Sequence, residues 1–168
     1  GMRALFTIFL VAETTSQNPG FGWSNEDALW LYGWYTMMVY IACIPGGWIA
    51  DNFLGQKKTV MLGGLLLCLG HGILAFNNEI SFYIGCIFII LGVGGLKPNI
   101  SSMVGGLYSK EDKRRDLGFY IFYMGINLGA FFAPLLCGWV GETYNWHFGF
   151  GIAAIGMIIG QFTYYFGQ

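Results

Sequence analysis

Four stretches of this chain, 28–50, 59–78, 117–141 and 146–168, contain no Asp, Glu, Lys or Arg, and a fifth, 80–109, is interrupted only by Lys97. Each is long enough to cross the ~30 Å hydrocarbon core of a bilayer, which takes about 20 residues of α-helix. Helices satisfy their own backbone hydrogen bonds in lipid, so these runs are read as helical spans. Composition agrees: 10% of the residues are charged, against about 25% in a soluble domain, so the surface is made for lipid.

A shorter apolar segment, 4–12, opens the chain and ends at Glu13 without the small-residue cleavage site of a signal peptide. It is too short to cross, so it is either no span or a span whose first half is missing. Counted as the latter, it makes six spans, expected at 1–15 (truncated), 27–50, 57–77, 80–107, 116–140 and 146–168. The connections between them, among them 51–58 and 77–79, are short and leave no room for a soluble domain, so the fold class is an all-α, polytopic membrane bundle over 1–168. Pro45, Pro98 and Pro134 lie inside apolar runs, and Gly125-x-x-x-Gly129 and Gly156-x-x-x-Gly160 put small residues on one helix face, features that let membrane helices kink or pack closely.

Orientation follows from the basic residues. Lys57 and Lys58 follow the second span, and Lys110, Lys113, Arg114 and Arg115 follow the fourth, while the other connections carry no Lys or Arg. The positive-inside rule assigns those two connections to the cytoplasm, and by parity the N-terminus and the end of the sixth span as well. The protein is therefore expected in the cell membrane, with Glu13 and Glu79 solvated on the opposite side.

Topology leaves two cations unexplained. If the fourth helix runs on to Leu107, Lys97 lies ~15 Å from its end, near the bilayer middle, where an ionisable group marks a substrate or ion path. If the span ends at Leu96, Lys97 snorkels to the interface ahead of Pro98. Arg3, so close to the start, reads from spacing alone as a cytoplasmic flanking arginine. Tyr40 and Asn127 lie deep in the second and fifth spans, and a buried amide such as Asn127 either joins helices or faces a polar cavity. His71 reads as a helix-packing group ahead of a proton relay, and His147, beside Trp146, as interfacial. Cys43, Cys68, Cys86 and Cys137 fall one to a run with no ligand spacing, and read as packing residues. There is no Cys/His metal spacing, phosphate-binding loop or nucleophile elbow, so a transporter or channel is expected rather than an enzyme, with no metal and no cofactor. A net charge of −1 gives no case for nucleic acid as a partner.

Three segments carry a resemblance. Gly47-Trp48-Ile49-Ala50-Asp51-Asn52-Phe53-Leu54-Gly55-Gln56-Lys57-Lys58 resembles the loop motif between the second and third spans of the major facilitator superfamily. Phe122-Tyr123-Met124-Gly125-Ile126-Asn127-Leu128-Gly129 matches the fifth-span signature Phe-Tyr-x-x-Ile-Asn-x-Gly of that superfamily's proton-dependent oligopeptide transporters, and Leu96-Lys97-Pro98-Asn99-Ile100-Ser101 looks like their fourth-span motif.

The resemblance covers essentially the whole chain and implies the N-terminal six-helix bundle of a transporter, with Gly1 to Leu5 in the middle of a truncated first helix. It moves Arg3 to mid-membrane, facing a central cavity. It implies that Arg3 and Lys97 bind a peptide carboxylate, that Tyr40 and Asn127 line the same cavity, and that Gly47, Asp51, Gly55, Lys57 and Lys58 form a conformational motif. The implied activity is proton-coupled symport of di- and tripeptides, with small peptides, protons, the lipid bilayer and a missing C-terminal six-helix bundle as partners. Alternatives are a transporter of the same fold carrying nitrate or amino-acid derivatives, and a non-transporting membrane scaffold. Asn52 and Gln56 replace basic residues of the loop motif, which weakens the charge network expected around Asp51. The family's Glu-x-x-Glu-Arg motif, which couples protons to transport, would lie before Gly1.

Overall fold

The computed structural model describes residues 2–76, 78–109 and 111–167. Expectations that fall on Gly1, Asn77, Lys110 and Gln168 lie outside the described residues. Every regular element among those described is helical: α1 (Met2–Val11), α2 (Asn25–Ile41), α3 (Cys43–Ile49), a π-helical turn (Ala50–Leu54), α4 (Gln56–Ile73), α5 (Glu79–Gly106), α6 (Arg114–Thr143) and α7 (Trp146–Phe166). α2, α3 and the π-turn run on as one 30-residue rod, so the described residues form six rods. Four of them, Asn25–Leu54, α5, α6 and α7, are long and apolar enough to cross a membrane. The remaining two are α1, of 10 residues, and α4, of 18 with Lys57 and Lys58 in its first turn.

The breaks have local causes. Pro45 has no N–H to give the carbonyl of Ile41, and α2 stops there. Ser24, Asn78 and Asn145 cap α2, α5 and α7 with side-chain oxygens that accept from Asp27, Ile80 and His147 backbone N–H groups.

The connection expected at 51–58 is almost entirely helical. Asp51 lies in the π-turn and Lys57 and Lys58 on α4, and the one non-helical residue is Gly55. Its φ of 78° closes the π-turn, and the same angle would strain a side-chain-bearing residue. One left-handed residue thus does the work assigned to an eight-residue loop.

α1 is the hub of the core. Leu5, Phe6, Phe9 and Leu10 are fully buried or nearly so. Phe6 stacks on Tyr35 of α2 and meets Phe82 of α5 at a tilt, while Phe9 meets Phe21, Phe82, Trp146 and Phe150. Cys86 and Cys137 belong to this core and all four cysteines are free thiols.

Glycines set the tightest crossings. A Cβ on Gly92 would lie 2.8 Å from the Gly63 carbonyl oxygen, one on Gly70 would lie 2.9 Å from that of Gly85, and one on Gly94 would lie 2.5 Å from that of Ala42. α5 is therefore pressed backbone to backbone against α4 on one side and the α2–α3 rod on the other. Gly125, Gly129, Gly156 and Gly160, the residues picked out by their spacing, meet nothing within 4 Å. Four-residue spacing makes a groove on one helix, and a close crossing needs a second small residue opposite it.

The two ends of the bundle are distinct. At one, the Tyr164 hydroxyl donates to the carbonyl of Lys57 at 3.2 Å and touches Met103 of α5. The turn into α6 follows, where Arg114 pairs with Asp112 at 3.0 Å and holds that carboxyl below its usual range by hydrogen bonding. At the other end Asn18 donates to the Gly141 carbonyl and accepts from the Trp146 backbone N–H, tying the α1–α2 connection to the α6–α7 corner. His147 packs there, with Nδ1 3.2 Å from the Leu74 carbonyl oxygen and the ring edge-on to Phe9. His71 is buried and bonds within α4, to the Leu67 carbonyl.

Candidate functional site

Two proline-weakened helices cross where the sequence put its unexplained lysine. On one rod the α2–α3 break falls at Ala42, two residues after Tyr40. On the other, α5 continues unbroken through Lys97 and Pro98 to Gly106, so the helix does not end at Leu96. Pro98 has no N–H for the carbonyl of Gly94, which loses its helical partner. Gly94 lies against Ala42 and Gly46 at the break in the other rod.

Beside this crossing the Lys97 ammonium stands over the Tyr40 ring, 4.6 Å from its centroid. On α1, Arg3 places its guanidinium 5.9 Å from the centroid of Tyr35. Tyr35 and Tyr40 are ~7.5 Å apart along α2, which thus presents one ring to each cation. Tyr35 is 5% exposed and wedged under Phe6, whereas Tyr40 is 55% exposed.

A cation over an aromatic face gains about 0.5–2 kcal/mol, depending on how dry the site is. That is enough to orient the charge. Among the described residues the only ion pair is Arg114 with Asp112, so neither Arg3 nor Lys97 meets a carboxylate there. An ammonium and a guanidinium with no carboxylate beside them among the described residues are groups suited, one by one, to charge-assisted hydrogen bonds to an anion such as a carboxylate.

The other expected residues are not gathered here. Asn127 lies exposed on α6 and its Nδ2 donates to the Tyr123 carbonyl of its own helix at 2.8 Å, so it joins no described helix to another. Phe122 is half-buried, and Tyr123, Ile126 and Gly129 are exposed on the same helix. Asp51, Lys57 and Lys58 are exposed at the end of the bundle that carries Tyr164, with Gly47 half-buried on α3. Asn52, which replaces a basic residue of the motif, turns back on the Trp48 carbonyl.

Sequence reasoning missed Tyr35 and Asn99. Tyr35 had no signal among ten tyrosines. Asn99 was noticed only as part of a motif, although an amide one residue past a lysine and a proline, deep in an apolar run, is the kind of buried polar group that needs a named partner.

Comparison with known proteins gives the family and the fold. The model of the POT family matches residues 57–168. A di-/tripeptide transporter of Lactococcus lactis subsp. cremoris is 49% identical over 169 residues, covering all of this chain and 34% of that protein. The peptide transporter YePEPT of Yersinia enterocolitica is 47% identical, covering 95% of this chain and 31% of its own. The chain thus spans about a third of the length of these curated relatives. Among solved structures, a peptide transporter POT in complex with sulfate superposes with a TM-score of 0.93 at 44% identity, over 97% of this chain and 33% of that one. A POT family transporter in complex with 5-aminolevulinic acid superposes at 0.89 with 36% identity, over 98% of this chain and 34% of that one.

Proposed function

Because this chain belongs to the POT family of membrane transporters, we propose that it forms the N-terminal bundle of a proton-coupled symporter of di- and tripeptides working by alternating access. The observation that carries the reading is the pair of cations, Arg3 and Lys97, each held on a tyrosine of α2 with no carboxylate beside it among the described residues. Their function is to bind the carboxylate that every peptide has, which leaves the side chains free to vary. Tyr40 lines the same cavity and orients Lys97. Asn127 supplies a hydrogen bond to the peptide backbone from α6, where its exposed amide is spent only within its own helix.

Gly47, Asp51, Gly55, Lys57 and Lys58 act at the end of the bundle as the element that moves between states. The basic residues Lys57, Lys58, Lys113, Arg114 and Arg115 gather at one end while Glu13, Glu79 and Glu142 lie towards the other, which supports a cytoplasmic position for the first end, and with it the end of α7 that carries Tyr164. A second six-helix bundle completes the cavity.

The test is uptake by the full-length transporter in proteoliposomes under an imposed proton gradient. We expect labelled dialanine to accumulate, and excess unlabelled dialanine, but not nitrate or free alanine, to abolish accumulation. Inhibition by nitrate alone would move the cargo to an inorganic anion. No uptake of any of the three, with copurification of another membrane protein, would favour a scaffold.

A further inference from the structure

We propose that Asn99 is a positioning residue for Lys97, holding the turn of α5 that carries the lysine against the rod that carries Tyr40. The inference rests on the reading of Lys97 as a ligand of the peptide carboxylate. Asn99 is 3% exposed, one of three buried polar residues among those described. Its Nδ2 donates to the Gly95 carbonyl at 2.7 Å and, across the crossing, to the Gly46 carbonyl at 3.3 Å. Both neighbours are acceptors, so only the NH2 end of the amide fits between them, and it has one hydrogen for each.

The place of this bridge gives it a purpose. Pro98 removes the helix hydrogen bond that would close the turn from Gly94, so the backbone beneath Lys97 is held by one bond fewer than a regular helix has. Asn99 reties that turn to Gly95 and anchors it to the opposite rod at Gly46, six residues from Tyr40. Ser102 adds a bond from its hydroxyl to the Pro98 carbonyl at 3.1 Å on the far side of the same turn. With glycine at 46 and 94 no side chain separates the two backbones, so the carboxamide is the one polar link across the contact among the described residues. The 4.6 Å placement of the ammonium over the Tyr40 ring follows from that fixed spacing.

The bridge can be removed without orphaning a buried group, because the Gly46 carbonyl also accepts from the N–H of Ala50. The experiment compares dialanine with dialanine amide, which lacks the carboxylate, as substrates of the full-length transporter carrying Asn99→Ala. Wild-type protein should take the free acid at the lower KM; failure at that step would overturn the carboxylate reading of Lys97, not the bridge. In Asn99→Ala we expect the KM for dialanine to rise by about fivefold or more, the effect of losing one orienting hydrogen bond to a charged site, with the KM for the amide within about twofold of wild type. KM does not depend on the fraction of active protein, so partial misfolding lowers only the maximal rate. Asn99→Leu, similar in volume and without the NH2 donors, gives the same split if Asn99→Ala expresses poorly. Equal changes in both KM values, or a loss confined to maximal rate in both variants, would show that Asn99 is structural only.

Discussion

α5 and α6 look alike as sequences: 28 and 30 residues, each apolar enough to cross a bilayer, each with one interior proline. Their surroundings are opposite. α5 buries residues along its length, from Phe82 to Asn99, and its glycines meet the backbones of α4 and the α2–α3 rod. α6 buries only Cys137 and Gly141, and Gly125, Gly129 and Gly138 face open space. Lipid tails are as apolar as leucine, so hydropathy cannot tell a helix enclosed by protein from one that faces lipid or another bundle. The comparison teaches that α5 is the spine holding Lys97 at a fixed place, while α6 offers its family signature to whatever covers it.

The comparison is tested most severely by truncating one aromatic on each helix. Phe82 of α5 is 3% exposed amid Phe6, Phe9 and Phe21, whereas Phe131 of α6 is 62% exposed. In thermal unfolding of the purified chain in detergent, Phe82→Ala is expected to cost about 3–5 kcal/mol and Phe131→Ala about 0.5 kcal/mol or less. Comparable losses would mean that α6 is as buried as α5. A glycine pair sharpens the contrast at smaller scale. Gly94→Ala drives a methyl into the Ala42 carbonyl and is expected to destabilise by about 1–3 kcal/mol, while Gly129→Ala has room and is expected to be neutral or to gain up to about 1 kcal/mol of helix propensity. If both destabilise equally, the glycine seam is not what fixes α5.

Much of this was legible beforehand because charge-free length is a direct consequence of the bilayer, and Lys97 stood out against it. What could not be read was which faces meet. Gly125 and Gly129 have the spacing of a packing motif and pack against nothing described, whereas Gly46 and Gly94, far apart in sequence, meet at the tightest crossing. Nor did 51–58 announce itself as helix, since its polar residues suit a connection and the break is made by the backbone angle of Gly55 alone. The role of α1 was hidden as well, because the burial of Phe6 and Phe9 depends on partners from α2, α5 and α7.

The smallest effect expected concerns the turn that joins the two helices. Arg114 keeps the Asp112 carboxyl below its usual range, so the pair contributes above the ordinary carboxylate pKa and is lost as pH falls through the lowered one. Asp112 also accepts from the Arg114 backbone N–H at 2.9 Å at the start of α6. Asp112→Ala should speed amide exchange in the first turn of α6 at neutral pH and leave exchange in α5 unchanged. Faster exchange in both helices would show that α5 and α6 open as one unit.

The central claim is that α5 holds an intramembrane cation for a peptide carboxylate, and it is tested most directly by proton-driven dialanine uptake in the full-length transporter with Lys97→Ala. Truncating one member of a charge pair costs about 2–5 kcal/mol, so initial uptake below KM should fall by at least about thirtyfold, with expression near normal and stability lowered by no more than the contact with Tyr40 contributes, about 0.5–2 kcal/mol. Uptake at the wild-type rate would contradict the account and leave Lys97 a lysine that merely reaches for the membrane surface.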